Sequence, residues 1–172
     1  MRLALALAAI ALAAVAGAAP TAPIPGSPAS AETRALGTRS QAKKLPSVKG
    51  ELQLGAEHSS YTGYLQGEAV VYLDERVTGS DRHTRHRRYY FDNGALYYYE
   101  AEAAATQVGG GATATGPSVP VQVEWNSAGQ AVRALRIEHY GPVKLDPQSV
   151  SAIVARAALL SKLATEQWHA AH

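Results

Sequence analysis

Reactive side chains are densest in the run Arg82-His83-Thr84-Arg85-His86-Arg87-Arg88. Two chemistries come to mind, metal ligation and nucleic-acid binding. On a strand, residues three apart point to opposite faces, so His83 and His86 do not share one ion. No set of His, Asp or Glu at metal spacing stands beside them, and no metal is expected. A formal net charge of +2 is too small for a protein built to neutralise phosphates. No nucleic-acid partner is expected.

Subtraction leaves a smaller candidate. Arg85 and Arg87 find carboxylates in Asp74, Glu100 and Glu102, whereas His86 and Arg88 fall on the apolar face of the expected sheet. A guanidinium there needs an anion or an aromatic ring, because burying it unpaired is very costly. Stacking of Arg88 on Tyr99 satisfies that need with no ligand. The sharper expectation is a ligand-binding set of Arg88, His86, Tyr90, Tyr97 and Tyr99, shaped for an anionic or sugar-like molecule.

Catalytic motifs are absent. The chain has no cysteine, which removes thiolate nucleophiles, Cys-ligated zinc, disulfides and lipid attachment through Cys. It has no G-x-S-x-G, no H-E-x-x-H and no glycine-rich phosphate loop between strand and helix. No catalytic residue and no cofactor is assigned. The competing reading is a small secreted hydrolase, with its site near His58 and Ser59-Ser60 or in the Gly109-Gly110-Gly111 loop.

The candidate residues need a sheet to place them, and period-2 patterning begins past Gly63. Asp92-Asn93-Gly94-Ala95 sets Asn-Gly between two aromatic runs, the strongest short-range hairpin signal, because both central residues of a type I′ turn need positive φ. That turn predicts Phe91 opposite Leu96, Tyr90 opposite Tyr97, Arg88 opposite Tyr99, Arg87 opposite Glu100 and Arg85 opposite Glu102. A second turn at Gly79-Ser80, of type II′, predicts Val77 opposite Arg82, Asp74 opposite Arg85, Leu73 opposite His86 and Val71 opposite Arg88. The two registers agree on which residues share a face, and a slip of one residue would exchange the faces.

After a glycine-rich stretch, Val119, Val121, Val123 and Trp125 alternate with polar residues. The chain turns at Asn126–Gln130 and returns over Ala131–Tyr140. Leu135 and Ile137 match the Val face but Arg133 does not, which predicts a bulge near Arg133 or Ala134. Pro120 marks the start of its strand or an edge. Asp146 then caps a helix with Pro147 at its first position, and Val150, Ile153, Val154, Ala157, Leu160 and Ala164 form its apolar stripe, with Arg156, Lys162 and Glu166 largely off it. The stretch Tyr89–Tyr98 resembles the hairpin repeat of MORN-type antitoxin-like proteins over some ten residues. No array of copies follows, so the resemblance implies a hairpin and no function.

The first residues are of a different kind. Met1-Arg2, an apolar run from Leu3 to Val15 and the small residues Ala16-Gly17-Ala18 describe a secretory signal peptide over 1–18. Prolines from Pro20 onward follow too soon for a spanning helix, so no transmembrane anchor is expected after cleavage. Residues 19–49 read as a flexible Pro/Ala-rich tether bearing Arg34, Arg39, Lys43, Lys44 and Lys49. These charges fit a solvated linker, or attraction to anionic envelope polymers. Residues 50–172 form one domain. The expected fold is α+β, an antiparallel β-meander of about five strands curled over one C-terminal amphipathic helix. The expected role is that of a small, non-catalytic protein, periplasmic or secreted from a bacterium, binding an anionic envelope polymer or an envelope protein through a tyrosine-rich sheet face.

Overall fold

A computed structural model describes residues 28–78, 84–103, 120–138 and 141–172. The elements run α1 (Pro28–Ala42), β1 (Ser47–Leu54), β2 (Glu57–Gln66), β3 (Ala69–Thr78), β4 (Thr84–Asp92), β5 (Ala95–Ala103), β6 (Val121–Trp125), β7 (Ala131–Glu138), β8 (Gly141–Lys144) and α2 (Pro147–Ala171). Each strand pairs antiparallel with the next, giving one open sheet in the order β1 to β8. The α+β meander with a C-terminal helix is therefore present, but it has eight strands rather than five.

Two of the unexpected elements come from weak patterning. Helix α1 occupies much of the stretch read as a tether, and β1 begins inside it at Ser47. Read as a weak helix, residues 30–45 carry no leucine stripe and have Gly37 in their middle, and the buried residues among the described side chains of α1 are alanines: Ala31, Ala35 and Ala42. Strand β1 alternates only between half-buried and exposed positions, so it carries no run of large apolar residues to read. Residues 1–18, expected to be a signal peptide, lie outside the described residues. Among the described residues no helix is long and apolar enough to cross a membrane.

The Asn93-Gly94 turn stands where the sequence puts it, with φ of 50° and 79°, and Asp92 faces Ala95 and Phe91 faces Leu96. A bulge then shifts the ladder by one residue, so that Tyr90 faces Tyr98, Tyr89 faces Tyr99 and Arg88 faces Glu100. The β3–β4 pair differs by three residues from expectation: Val77 faces Arg85, Asp74 faces Arg88 and Leu73 faces Tyr89. The expected Gly79-Ser80 turn lies outside the described residues. An odd shift exchanges faces, and here it sets Tyr89 rather than His86 beside Leu73. The gain is a large aromatic ring in the main core in place of a basic imidazole.

That core lies on one face of the sheet, under α2. Tyr61, Leu65, Leu73, Tyr89, Tyr99, Val123 and Trp125 pack with Ala157, Leu160 and Ala164 of the helix. Asp146 caps α2 by accepting from the Ser149 amide at 2.8 Å and from its hydroxyl at 2.6 Å. These bonds hold its carboxyl below the usual range. Close approach of α2 to β2 requires Gly63, since a Cβ there would sit 2.9 Å from the Ala164 methyl. Near the far edge a bulge beside Trp125 leaves Val132 without a partner, so Arg133 faces Glu124 and Ala134 faces Val123. The bulge was expected near this point. Its effect is to put Ala134, rather than Leu135 and Ile137, with the Val face.

Candidate functional site

The second face of the sheet is covered in part by α1. Tyr64, Tyr72, Tyr90, Tyr97 and Tyr98 cluster there against Ala31, Ala35 and Ala42. Their rings lie 5.1–6.3 Å apart across neighbouring strands, the offset and tilted spacing that aromatic quadrupoles favour. Burial pushes the hydroxyls of Tyr72, Tyr90 and Tyr98 well above the ordinary phenol value, and the nearby carboxylates add to the shift. These tyrosines are neutral hydrogen-bonding groups at any physiological pH.

Four of the five residues singled out from the sequence share this face. His86, Arg88 and Tyr90 alternate along β4, and Tyr97 joins them through the bulge in β5. Tyr99 does not: it stands in the α2 core, 5.1 Å from Tyr89, and burial raises its pKa to about 12. The environment of Arg88 also differs from the expected one. Its Nη1 donates to Glu102 at 2.8 Å and to Glu100 at 3.2 Å, with Asp74 across the strand. Burial opposes its charge, but the Glu102 bond and the Glu100 charge outweigh that and hold its pKa above the ordinary value. The Arg88 bond in turn keeps Glu102 below the usual carboxylate range. Tyr90 adds a hydroxyl bond of 2.7 Å to the same oxygen of Glu100. The apolar-face placement of Arg88, beside Val71, Leu73 and Tyr99, is thus overturned by the register, and the guanidinium already has its counter-charges.

Beyond the C-terminal end of α1 the same face is open and polar. Lys43, Lys49 and Arg76 border a depression of about 760 Å³ that also presents Ser60, Thr62 and Tyr64. Glu51 and Asp74 line it as well. None of the three cations has an ion-pair partner among the described residues. A second cavity of about 510 Å³ lies between α1 and the β4–β5 turn, walled by Arg34, Thr38, Gln41, Asp92 and Tyr97.

Compared with known proteins, the chain matches no family model, no curated protein and no solved structure.

Of the two serines in the hydrolase reading, the sheet separates only Ser59 from His58. Ser59 is fully buried on the α2 face, accepting from Arg156 at 3.0 Å, whereas Ser60, next along β2, is exposed on the other face. Ser60 shares the face of His58, but no hydrogen bond joins the two among the described residues. The Gly109–Gly111 loop lies outside the described residues. Among those residues no group of three His, Asp or Glu converges as a metal site would require.

Sequence reasoning missed a polar cluster inside the α2 core. Glu75 is fully buried and receives Arg156 through Nη2 at 2.5 Å and Nε at 3.0 Å, while the Tyr89 hydroxyl donates to it at 2.8 Å. Arg87 approaches the same carboxylate at 3.9 Å and meets Glu57 at 3.4 Å nearer the surface. Arg156 was expected largely off the helix stripe. Its spacing offered a signal, since it follows Ile153 by three and precedes Leu160 by four, which puts it on the stripe's margin.

Proposed function

We propose that this is an exported bacterial protein, periplasmic or secreted, that binds an anionic polymer of the cell envelope without catalysing a reaction. Export rests on the composition of residues 1–18, a basic start, an apolar run and small residues at a cleavage position. The observation that carries the binding reading is the convergence of Lys43, Lys49 and Arg76, unpaired among the described residues, on a depression edged by hydroxyls. Cations attract the anionic groups, while Ser60, Thr62 and Tyr64 supply donors and acceptors for a polyhydroxylated chain. Glu51 and Asp74 in the same lining favour a polymer whose negative charges are spaced by neutral sugars over one of continuous charge. Arg88, tied to Glu100 and Glu102, is assigned to the architecture of the face rather than to the ligand.

Polygalacturonate and neutral dextran serve as probes for the mature chain. The expected result is retention on the acidic polymer only, weakening with salt as counterions compete. The triple variant Lys43→Gln/Lys49→Gln/Arg76→Gln should weaken it at least about tenfold, a modest loss for three charges. Equal binding to dextran, or unchanged binding of a folded triple variant, would overturn the reading.

A further inference from the structure

The two helices are attached to the sheet by different means. Helix α2 inserts large apolar side chains and an arginine whose partner carboxylate is fully buried. Among its described side chains helix α1 buries only alanines, and its single leucine, Leu36, is 59% exposed. Polar contacts hold it down instead. Arg34 lies 3.6 Å above the Tyr97 ring and 3.3 Å from Asp92, Thr38 meets the Tyr97 hydroxyl at 3.1 Å, and Arg39 stands 3.8 Å from Glu100. Arg34 and Asp92 are each about half exposed, so solvent weakens their pairing.

Unmet hydrogen bonds are distributed just as unevenly. Among the described residues, the buried side-chain atoms without a partner are Asp74 Oδ1, Arg88 Nε, the Tyr98 hydroxyl and Glu124 Oε2. All four belong to the α1 face, by their register opposite one another: Asp74 with Arg88, and Tyr98 with Glu124. Tyr98 and Glu124 are 1% and 2% exposed, and burial raises the Glu124 carboxyl above its ordinary pKa. Such orphaned groups are rare in finished cores and call for an explanation.

We propose that the tyrosine–carboxylate face is a docking groove for an arginine-bearing helix of a partner protein, and that α1 is the resident occupant which that helix displaces. Charge complementarity selects the occupant. The groove presents five carboxylates, Asp74, Asp92, Glu100, Glu102 and Glu124, around tyrosine rings, against Arg88 paired with Glu100 and Glu102 and Arg133 opposite Glu124. The acidic excess accepts guanidinium groups by ion pairing, and the rings by cation–π contact. The close fit over the rings admits only small side chains, at the spacing of Ala31, Ala35 and Ala42 on one helix stripe. A partner with longer polar side chains at the ends of that stripe reaches the atoms that α1 leaves unpaired. This inference does not depend on the anionic-polymer reading, which uses the open surface beyond α1 and shares only Asp74 with this groove.

Hydrogen exchange of the unaltered chain gives the first test: α1 amides should exchange at least roughly a hundredfold faster than those in the middle of α2. Equal protection of the two helices would overturn the proposal. For the second test, a labelled peptide with the sequence of residues 28–44 stands in for the partner helix. The tethered copy competes at high effective concentration, so the wild-type chain should bind the peptide weakly. Ala35→Glu places a carboxylate under α1 and should tighten peptide binding at least about tenfold by expelling the helix. A peptide carrying Arg34→Glu and Arg39→Glu should fail to bind. Equal binding by both chains, or by both peptides, would overturn the proposal. So would concentration-dependent dimerisation of the wild-type chain abolished by Arg34→Glu/Arg39→Glu, which would name a second copy as the occupant. If Ala35→Glu does not fold, the exchange comparison on the unaltered chain still decides.

Discussion

Glu75 shows how a single side chain can govern the join between helix and sheet. A carboxylate taken wholly out of water loses several kcal/mol of solvation, which only close cations and donors restore. Arg156 supplies two bonds from α2, Tyr89 a third from β4, and Arg87 adds charge at longer range. Truncating one partner is therefore far more damaging than removing both. Arg156→Met should destabilise the protein by about 3–5 kcal/mol, because Glu75 is left charged and buried. Adding Glu75→Gln should recover more than half of that, since the neutral amide still accepts from Tyr89. Urea denaturation of the two variants and the wild type measures both steps. An Arg156→Met loss below about 1 kcal/mol would show that the pair contributes no more than an exposed one. Tyr99 belongs to this core, with its ring 5.1 Å from that of Tyr89, and not to a ligand site.

Among the elements, α2 depends most on a residue that contributes no side chain. Gly63 lets the Ala164 methyl approach β2, and any larger residue must push the helix away or shift Leu73, whose Cδ2 would lie 3.2 Å from a new Cβ. Gly63→Val should cost about 1–3 kcal/mol through overpacking, read as a lowered melting temperature with loss of near-ultraviolet tyrosine signal. The boundaries and cap of α2 were legible because apolar spacing, Asp146 and Pro147 all agree. The Asn93-Gly94 turn was legible because its backbone demands those residue types. Register was not. A turn fixes pairing only as far as the next bulge, and the bulge at Tyr90–Phe91 sits two residues from the turn. Tyr89, Tyr90, Tyr97, Tyr98 and Tyr99 are nearly interchangeable in an alternation pattern, so nothing local distinguishes the shifted ladder from the unshifted one. The depression bordered by Lys43, Lys49 and Arg76 joins residues from the α1–β1 connection, β1 and β3, and only the pairing of β1 with β2 and of β2 with β3 assembles it.

Tyrosine takes on the whole molecule the role that phenylalanine and tryptophan share elsewhere, and this gives the fold a limit on the alkaline side. The chain has nine tyrosines against two tryptophans and one phenylalanine. Burial raises the pKa of Tyr61, Tyr72, Tyr89, Tyr90, Tyr98 and Tyr99 above 10.0, with Tyr99 at about 12. Each keeps its proton more tightly when folded than when unfolded. The stability this represents is fully present below pH 10 and is lost as pH rises from there through the folded values, because the unfolded chain releases its phenolic protons first. Each such tyrosine contributes a slope of up to about 1.4 kcal/mol per pH unit in that window, so a few suffice to unfold a domain of ordinary stability. Both faces titrate together, since the set includes Tyr89 and Tyr99 under α2 and Tyr72, Tyr90 and Tyr98 under α1. Denaturant midpoints should be flat between pH 7 and 9 and fall steeply above pH 10. Tyrosinate absorbance should rise in one step that coincides with the loss of secondary structure. A smooth tyrosinate titration centred near pH 10, with the fold intact, would mean that these hydroxyls are open to water and that the sheet does not bury its rings on two sides.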